Sequence, residues 1–154
     1  MTFYEAMRFV HILAAIVWVG GAIMFQFIYM RVMAANDPGR MRAFAADTEQ
    51  IGKKVLMPAA IVVLAAGVTM VLNHGGINFE DTWIVIGIAG IIGSALVGSL
   101  YLGPEGGRIG ALLQERGGED DEIRSRRERL VLIGRIELTV LILIVLDMVV
   151  KPGA

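Results

Sequence analysis

The sequence predicts an all-α protein, a bundle of four transmembrane helices with both termini on the outer side of the membrane. Hydrophobic residues make up 56% of the 154-residue chain and charged residues only 19%, whereas soluble domains average about 45–50% and about 25%. The hydrophobic residues are gathered in four runs, and none of them alternates as a barrel strand does. Each run is near the ~20 residues that cross ~30 Å of hydrocarbon as a helix. The runs are Phe9–Met30, Val55–Leu72, Trp83–Leu102 and Leu130–Val150.

Positive charge is segregated between the connections of this predicted bundle. The segment Arg31–Lys54 holds five Lys or Arg residues and Arg108–Arg129 holds six, whereas His74–Thr82 holds none. Cytoplasmic connections of membrane proteins carry the excess of Lys and Arg. The first and third connections are therefore predicted to be cytoplasmic, and the second connection and both termini to lie outside.

The first predicted helix covers residues 3–33, and the breaker cluster Asn36–Gly39 ends it. The second covers 48–73, because Asp47 followed by Gln50 three residues later is typical of a capping box. Between the two, the short segment Arg40–Asp47 connects the spans on the cytoplasmic side, and a helix is one form open to it.

Pro58 falls inside the second predicted helix. Proline donates no backbone hydrogen bond and its ring crowds the preceding turn. We therefore expect this helix to be kinked near Lys54.

The third predicted helix covers 82–103, where a Gly-Pro pair is expected to end it, and the fourth covers 120–151. Within the third helix, Gly90, Ser94 and Gly98 form a stripe of small residues that allows close helix packing. The charged residues before the fourth run indicate a solvated helix extension with Glu–Arg pairs at helical spacing. The whole chain is predicted to be one integral membrane domain.

His11 is the only histidine deep inside a predicted span, and it lies about two turns from the outer surface. No other residue between Phe9 and Met30 has a side chain that titrates near neutral pH. Such a group is costly in hydrocarbon, so it usually faces the bundle interior and has a partner or a ligand. One interpretation is an imidazole bonded to a helix carbonyl or hydroxyl. The other is a neutral imidazole that ligates haem iron or copper.

A second set of candidate ligands lies at the same predicted level. Met7 precedes His11 by four residues and Met70 precedes His74 by four, so each pair shares a helix face. Thioether and imidazole together suit Cu(I) or a His/Met haem. The alternative is that these pairs arise by chance, because the chain contains nine methionines. His74 would then be a histidine of a surface loop.

Two charged residues, Arg135 and Glu137, lie about 7–10 Å inside the fourth predicted span. Arg135 either snorkels or binds a haem propionate, whereas Glu137 needs a partner, either in an ion pair that fixes packing or in a proton relay. Trp18 is expected to pack in the bundle and Gln26 to hydrogen-bond across helices. The candidate partners of Glu137 are Lys53, Lys54 and Arg31.

The order of these features resembles one membrane superfamily, which joins the HemJ-type protoporphyrinogen IX oxidases with the CopD-type copper resistance proteins. The first run, Arg8–Gly21, has a histidine followed seven residues later by tryptophan and then glycines. The second contains Met57–Ile61 with a glycine beyond it, the third opens with Trp83, and the fourth carries Arg135 and ends in Val149–Pro152.

This resemblance implies a four-helix membrane fold with His11 as a ligand of haem b. The HemJ-type family also has a lysine four residues after the tryptophan of the third helix. In this chain Gly87 stands at that position. The chain therefore resembles the uncharacterised CopD-like proteins more closely, and an oxidase activity is left undecided.

Three hypotheses of function follow from the sequence. The first is haem b binding through His11, with a redox role. The second is copper binding or transport on the outer side through Met7, His11, Met70 and His74. The third is a cofactor-free structural subunit that assembles with a copy of itself or with a membrane complex through the small-residue stripe. The protein is expected in the inner (plasma) membrane, where the lipid bilayer surrounds it. The sequence contains no nucleic-acid-binding motif.

Overall fold

A computed structural model describes residues 1–35, 37–73 and 75–152 of the chain, except for the side chain of Pro38. The regular structure in these ranges is helical, in agreement with the predicted fold class. Six α-helical segments follow one another along the chain. They are α1 (Phe3–Ala34), α2 (Pro38–Ile51), α3 (Met57–Asn73), α4 (Thr82–Val97), α5 (Gly103–Arg116) and α6 (Asp121–Val150).

These segments form four long rods, because two pairs of them are continuous. A π-helical turn, Gly52–Leu56, joins α2 to α3, and a second one, Gly98–Leu102, joins α4 to α5. The second rod therefore begins at Pro38 and the third ends at Arg116. The predicted start near residue 48 and the predicted end near residue 103 were wrong.

The second rod begins early because a stronger start signal precedes the predicted one. The side chain of Asp37 accepts hydrogen bonds from the backbone N–H groups of Gly39 and Arg40. Pro38 occupies the first helical position, where no N–H donor is needed. Asp47, predicted to cap the second helix, instead lies within α2.

The third rod continues because its proline follows a π turn. The backbone N–H of Gly103 donates to the carbonyl of Gly98, so the hydrogen-bond ladder widens just before Pro104 and the helix then resumes. The same arrangement precedes Pro58, where the N–H of Met57 donates to the carbonyl of Gly52. The kink expected near Lys54 thus takes the form of a π turn, one of the recognised causes of helix irregularity.

Three of the rods are long and apolar enough to cross a membrane, by the properties of the residues that the structure describes. They are Phe3–Ala34, Gly39–Asn73 and Thr82–Arg116. The fourth, α6, has 30 residues, but its apolar half also carries Arg135, Glu137 and Asp147. The structure therefore supports three spans outright.

The main contacts between helical segments are those of α1 with α3, α4 with α6, and α2 with α5. The central core cluster contains Trp18 of α1, which packs among the small side chains of Ala59 and Ala60 and against Leu141. A second cluster, around Ile109, Leu113 and Ile123, lies at the charged end of the bundle, and a third surrounds Trp83 at the opposite end.

The stripe of small residues on α4 is used within the chain. A Cβ on Gly90 would lie 2.5 Å from Cδ1 of Ile144, and Ser94 is buried with an exposed fraction of only 5%. Both residues face α6, so two of the three stripe residues pack within the chain, and assembly with another chain through this stripe stays a prediction. Gly98 has no neighbour within 4 Å of the position that a Cβ would take.

Candidate functional site

His11 lies between α1 and α3, partly buried, with one ring nitrogen already bonded. Its Nδ1 is 2.8 Å from the carbonyl oxygen of Val63. Because a carbonyl only accepts hydrogen bonds, Nδ1 carries the proton in this contact. The neutral ring therefore has its lone pair on Nε2, and the first of the two sequence interpretations, a bond to a helix carbonyl, is observed.

This bond does not exclude the second interpretation. Histidines that ligate metals usually donate their other ring N–H to a carbonyl or a carboxylate, which fixes the tautomer and the ring orientation. The contact between His11 and Val63 has that form. The site therefore fits a ligand role for Nε2.

Gly67 gives the imidazole its room. A Cβ at this position would lie 3.3 Å from Cε1 and 3.4 Å from Nδ1 of His11. Such distances are tighter than ordinary van der Waals contact, so a side chain would push against the ring. The sequence showed the histidine and this glycine, but it could not show that they meet, because they lie on different helices.

Of the four candidate copper ligands, the structure describes three, Met7, His11 and Met70. Met7 and Met70 are each partly buried, and His74 lies outside the described residues. Within the described ranges, no group of three or more His, Asp or Glu side chains is arranged to hold a metal ion. The copper hypothesis therefore stays a prediction.

Gly87, which occupies the position of the HemJ-type lysine, has a definite packing role. A Cβ on this glycine would lie 1.9 Å from the Cε methyl of Met148. The thioether of α6 thus fills the space that a side chain on α4 would need. A larger side chain here would require Met148 to move.

Glu137 lies inside the bundle and has a neutral partner. The hydroxyl of Ser94 donates a short hydrogen bond to Oε1 of this carboxyl group. The predicted partners were cationic, and this part of the prediction was wrong: Lys53, for example, pairs with Glu49 on the surface at 2.6 Å. Ser94, a member of the small-residue stripe on α4, is therefore also the hydrogen-bond partner of Glu137 on α6.

Gln26 adds a third polar side chain near this level. Its Oε1 would lie 3.0 Å from a Cβ on Gly134, so α1 and α6 approach closely at this point. The amide nitrogen Nε2 is buried and has no hydrogen-bond partner among the described residues. The predicted hydrogen bond across helices is thus replaced by close packing against the glycine.

The charged end of the bundle is tied together by ion pairs. The guanidinium of Arg126 contacts Glu105 at 2.8 Å and Glu122 at 3.0 Å, and Arg116 bonds to Asp120 and Glu122. The Arg116 guanidinium and the backbone N–H of Ile123 hold the pKa of Asp120 below its ordinary value, the backbone bond being the larger cause. These contacts fix the turn between α5 and α6. The sequence predicted Glu–Arg pairs within a solvated helix extension, whereas some of these pairs also join α5 to α6.

Comparison with known proteins gives one result. Residues 5–152 match the family model DUF2269, described as a predicted integral membrane protein. No curated protein and no solved structure matches the chain. The match covers nearly the whole chain and supports its membrane character, but it does not address the resemblance to HemJ-type or CopD-type proteins, and it carries neither a cofactor nor a reaction.

Proposed function

Because the chain belongs to the DUF2269 family of predicted integral membrane proteins, we propose that it is a four-span protein of the plasma membrane that binds haem b through Nε2 of His11. The observation that carries this proposal is the bond from His11 Nδ1 to the Val63 carbonyl. It presets a neutral imidazole as a ligand inside an apolar bundle.

The fourth span in this proposal is α6. Its 30 residues extend about 45 Å at 1.5 Å per residue, enough for the span and a cytoplasmic extension. The carboxyl group of Glu137 accepts a hydrogen bond from Ser94 inside the bundle. Arg135 is exposed and lies close enough to the cytoplasmic end of the span for its guanidinium to reach the membrane surface. These two polar side chains, which make α6 less hydrophobic than the other rods, are thus compatible with a position in the membrane.

The orientation can be tested with single cysteines, because the chain contains none of its own. Glu80→Cys lies in the predicted outer connection and Gln114→Cys in the predicted cytoplasmic end, and both positions are exposed. A membrane-impermeant maleimide added to whole cells is expected to label the first variant and not the second. Labelling of Gln114→Cys in intact cells would overturn the proposed orientation.

The resemblance to the HemJ-type and CopD-type superfamily supports the choice of haem b, because its HemJ-type branch uses the histidine that matches His11. Haem b supplies one-electron redox chemistry when it is bound. The protein contributes the oriented imidazole and an apolar surrounding that disfavours charge. Since Gly87 replaces the branch's lysine, we propose haem binding or electron transfer rather than porphyrinogen oxidation.

The test compares two substitutions in the protein purified from cells with adequate haem supply. His11→Asn keeps an N–H donor near the position of Nδ1 but has no imidazole, so it preserves the bond to Val63 and removes the ligand. We expect it to lose the Soret band while keeping its helical circular dichroism. His74→Asn, the matched control at the other histidine, is expected to keep the band.

The outcomes distinguish the alternatives. Retention of stoichiometric haem in folded His11→Asn would refute the haem proposal. Bound copper without a Soret band, lost when either histidine is replaced, would favour the outer copper site instead. A colourless, metal-free wild-type protein would favour a cofactor-free subunit of a membrane complex.

A further inference from the structure

A groove opens between α1 and α6 toward the charged end of the bundle. Tyr29 and Met30 line it from α1, and Arg127, Leu132 and Arg135 line it from α6. The two arginines are eight residues apart, so they are separated by about 80° around the helix axis and by about 12 Å along it. The α6 side of the groove therefore carries charged side chains of both signs, and apolar side chains line most of the rest.

Arg135 is the groove's available cation. In the described part of the chain its guanidinium makes no ion pair, whereas four other arginines, Arg116, Arg124, Arg126 and Arg127, are paired with carboxylates. Arg127 in particular contacts Glu119 at 2.8 Å. Glu128 also lines the groove, but it is seven residues from Arg135, about 10 Å along the helix.

Tyr29 offers a second unused polar group. Its hydroxyl is buried and has no hydrogen-bond partner among the described residues. Buried polar groups are usually satisfied, and an unsatisfied one calls for an explanation such as a ligand that the hydroxyl contacts. Tyr29 lines the same groove as Arg135, so one ligand could contact both side chains.

The depth and the apolar lining indicate the type of ligand. Arg135 lies about 8 Å past Leu130, where the apolar part of α6 begins, and its side chain is exposed. Met30 and Leu132 are exposed beside it, with exposed fractions of 38% and 57%. A molecule seated here would have its anionic part near the guanidinium and an apolar part against these side chains.

We propose that this groove binds the headgroup phosphate of an anionic phospholipid from the cytoplasmic leaflet. Arg135 contacts the phosphate, the Tyr29 hydroxyl donates a hydrogen bond to it, and the acyl chains run along Met30 and Leu132. Basic clefts between membrane helices on the cytoplasmic side recognise such headgroups by charge. This inference rests on α6 crossing the membrane and is independent of haem.

The experiment is native mass spectrometry of the detergent-purified full chain. The protein is incubated with equal concentrations of dioleoylphosphatidylglycerol and dioleoylphosphatidylcholine, which share their acyl chains and differ in net charge. We expect the anionic lipid adduct to exceed the neutral one about fivefold, since one arginine near an anionic surface contributes about 1 kcal/mol. Equal adducts on the wild-type protein would overturn the proposal.

Two substitutions on α6 locate the site. Arg135→Gln is expected to abolish the preference, whereas Arg129→Gln, the same charge change at an exposed position outside the groove, is expected to leave it. Equal losses in the two variants would show general attraction to basic residues and refute the groove. Tyr29→Phe is expected to weaken the preference by a smaller factor.

Excess inorganic phosphate distinguishes a lipid from a free anion. We expect it to leave the phosphatidylglycerol adduct in place, because the acyl chains contribute to binding; complete displacement would contradict the lipid assignment. The cysteine-labelling result reports the topology separately, so an inverted orientation and an absent lipid site are distinguishable.

Discussion

At the scale of single residues, two features of α3 hold the His11 ring, the carbonyl of Val63 and the missing side chain of Gly67. The carbonyl fixes which nitrogen is protonated, and the glycine leaves space for the ring. Both would serve the proposed haem ligand, because a metal-binding imidazole is held in one orientation by its surroundings.

The space at Gly67 can be tested by adding one methyl group. Gly67→Ala would place a Cβ 3.3 Å from Cε1 of His11, and we expect this overpacking to lower the free energy of unfolding by about 1 kcal/mol. Gly93→Ala is the matched control, because nothing lies within 4 Å of its Cβ position. It should gain about 0.5–1 kcal/mol from helix propensity. Thermal unfolding followed by circular dichroism measures both, and shifts of the same sign would contradict the account.

The partly buried carboxyl group of Glu137 gives a second prediction. Ser94→Ala removes the hydrogen-bond donor that the described residues offer it, and leaving a polar group unpaired inside the protein costs about 1–3 kcal/mol. Glu137→Gln keeps the acceptor oxygen and is expected to destabilise the protein less. Denaturant unfolding in detergent checks the order of the two variants, and a larger loss in Glu137→Gln would show that Ser94 is not its main partner.

At the scale of helices, the sequence predicted the existence and type of each rod well and its ends less well. The apolar runs locate the membrane-crossing parts because length and composition suffice for that. The start at Pro38 was missed because Asp47 was taken as the cap, and the end at Arg116 was missed because Pro104 was taken as a breaker. A π turn supplies the widened ladder that lets a helix continue through a proline, and its presence depends on hydrogen-bond geometry that composition does not reveal.

The candidate site was predictable only in part for a related reason. His11 stood out as an ionisable residue in an apolar run, and Glu137 did so too. Their partners, Val63 and Ser94, are an ordinary backbone carbonyl and a small side chain on other helices. Such pairings depend on how the rods are rotated against each other, which one sequence does not fix.

The contact between α4 and α6 yields a prediction at this scale. Gly87→Ala is expected to destabilise the pair of helices, because its methyl would collide with Cε of Met148. Met148→Ala alone should also destabilise them, through a lost apolar contact. The double variant is expected to lose less than the sum, with a coupling of about 0.5–3 kcal/mol for residues in contact. Additive losses in unfolding experiments would contradict the observed packing.

At the scale of the whole molecule, the bundle is divided into an apolar body and one end tied by ion pairs. In the described ranges two of these pairs link α5 to α6: Arg116 with Glu122, and Glu105 with Arg126. Exposed pairs contribute little individually. Together they fix the direction in which α6 starts after the turn, just before the apolar part of the helix.

This end is expected to respond to acid. The hydrogen bonds of Asp120 to Ile123 and Arg116 lower its pKa, so its stabilising contribution is present above the unfolded pKa, near 3.8, and is lost as the pH falls through the lower folded value. The thermal midpoint should therefore fall modestly below about pH 4. Asp120→Asn keeps a capping oxygen but has no charge, and its midpoint should change less over the same range. An equal decline in both proteins would assign the effect to other groups.

The central claim, a haem ligated by the imidazole of His11, is tested most directly by the cofactor content of the wild-type protein. The measurement is the absorption spectrum of the detergent-purified chain from haem-sufficient cells, with elemental analysis of the same sample. We expect a Soret band and iron at about one per chain, the stoichiometry of a single axial histidine site. A folded protein without a Soret band and without iron would contradict the claim.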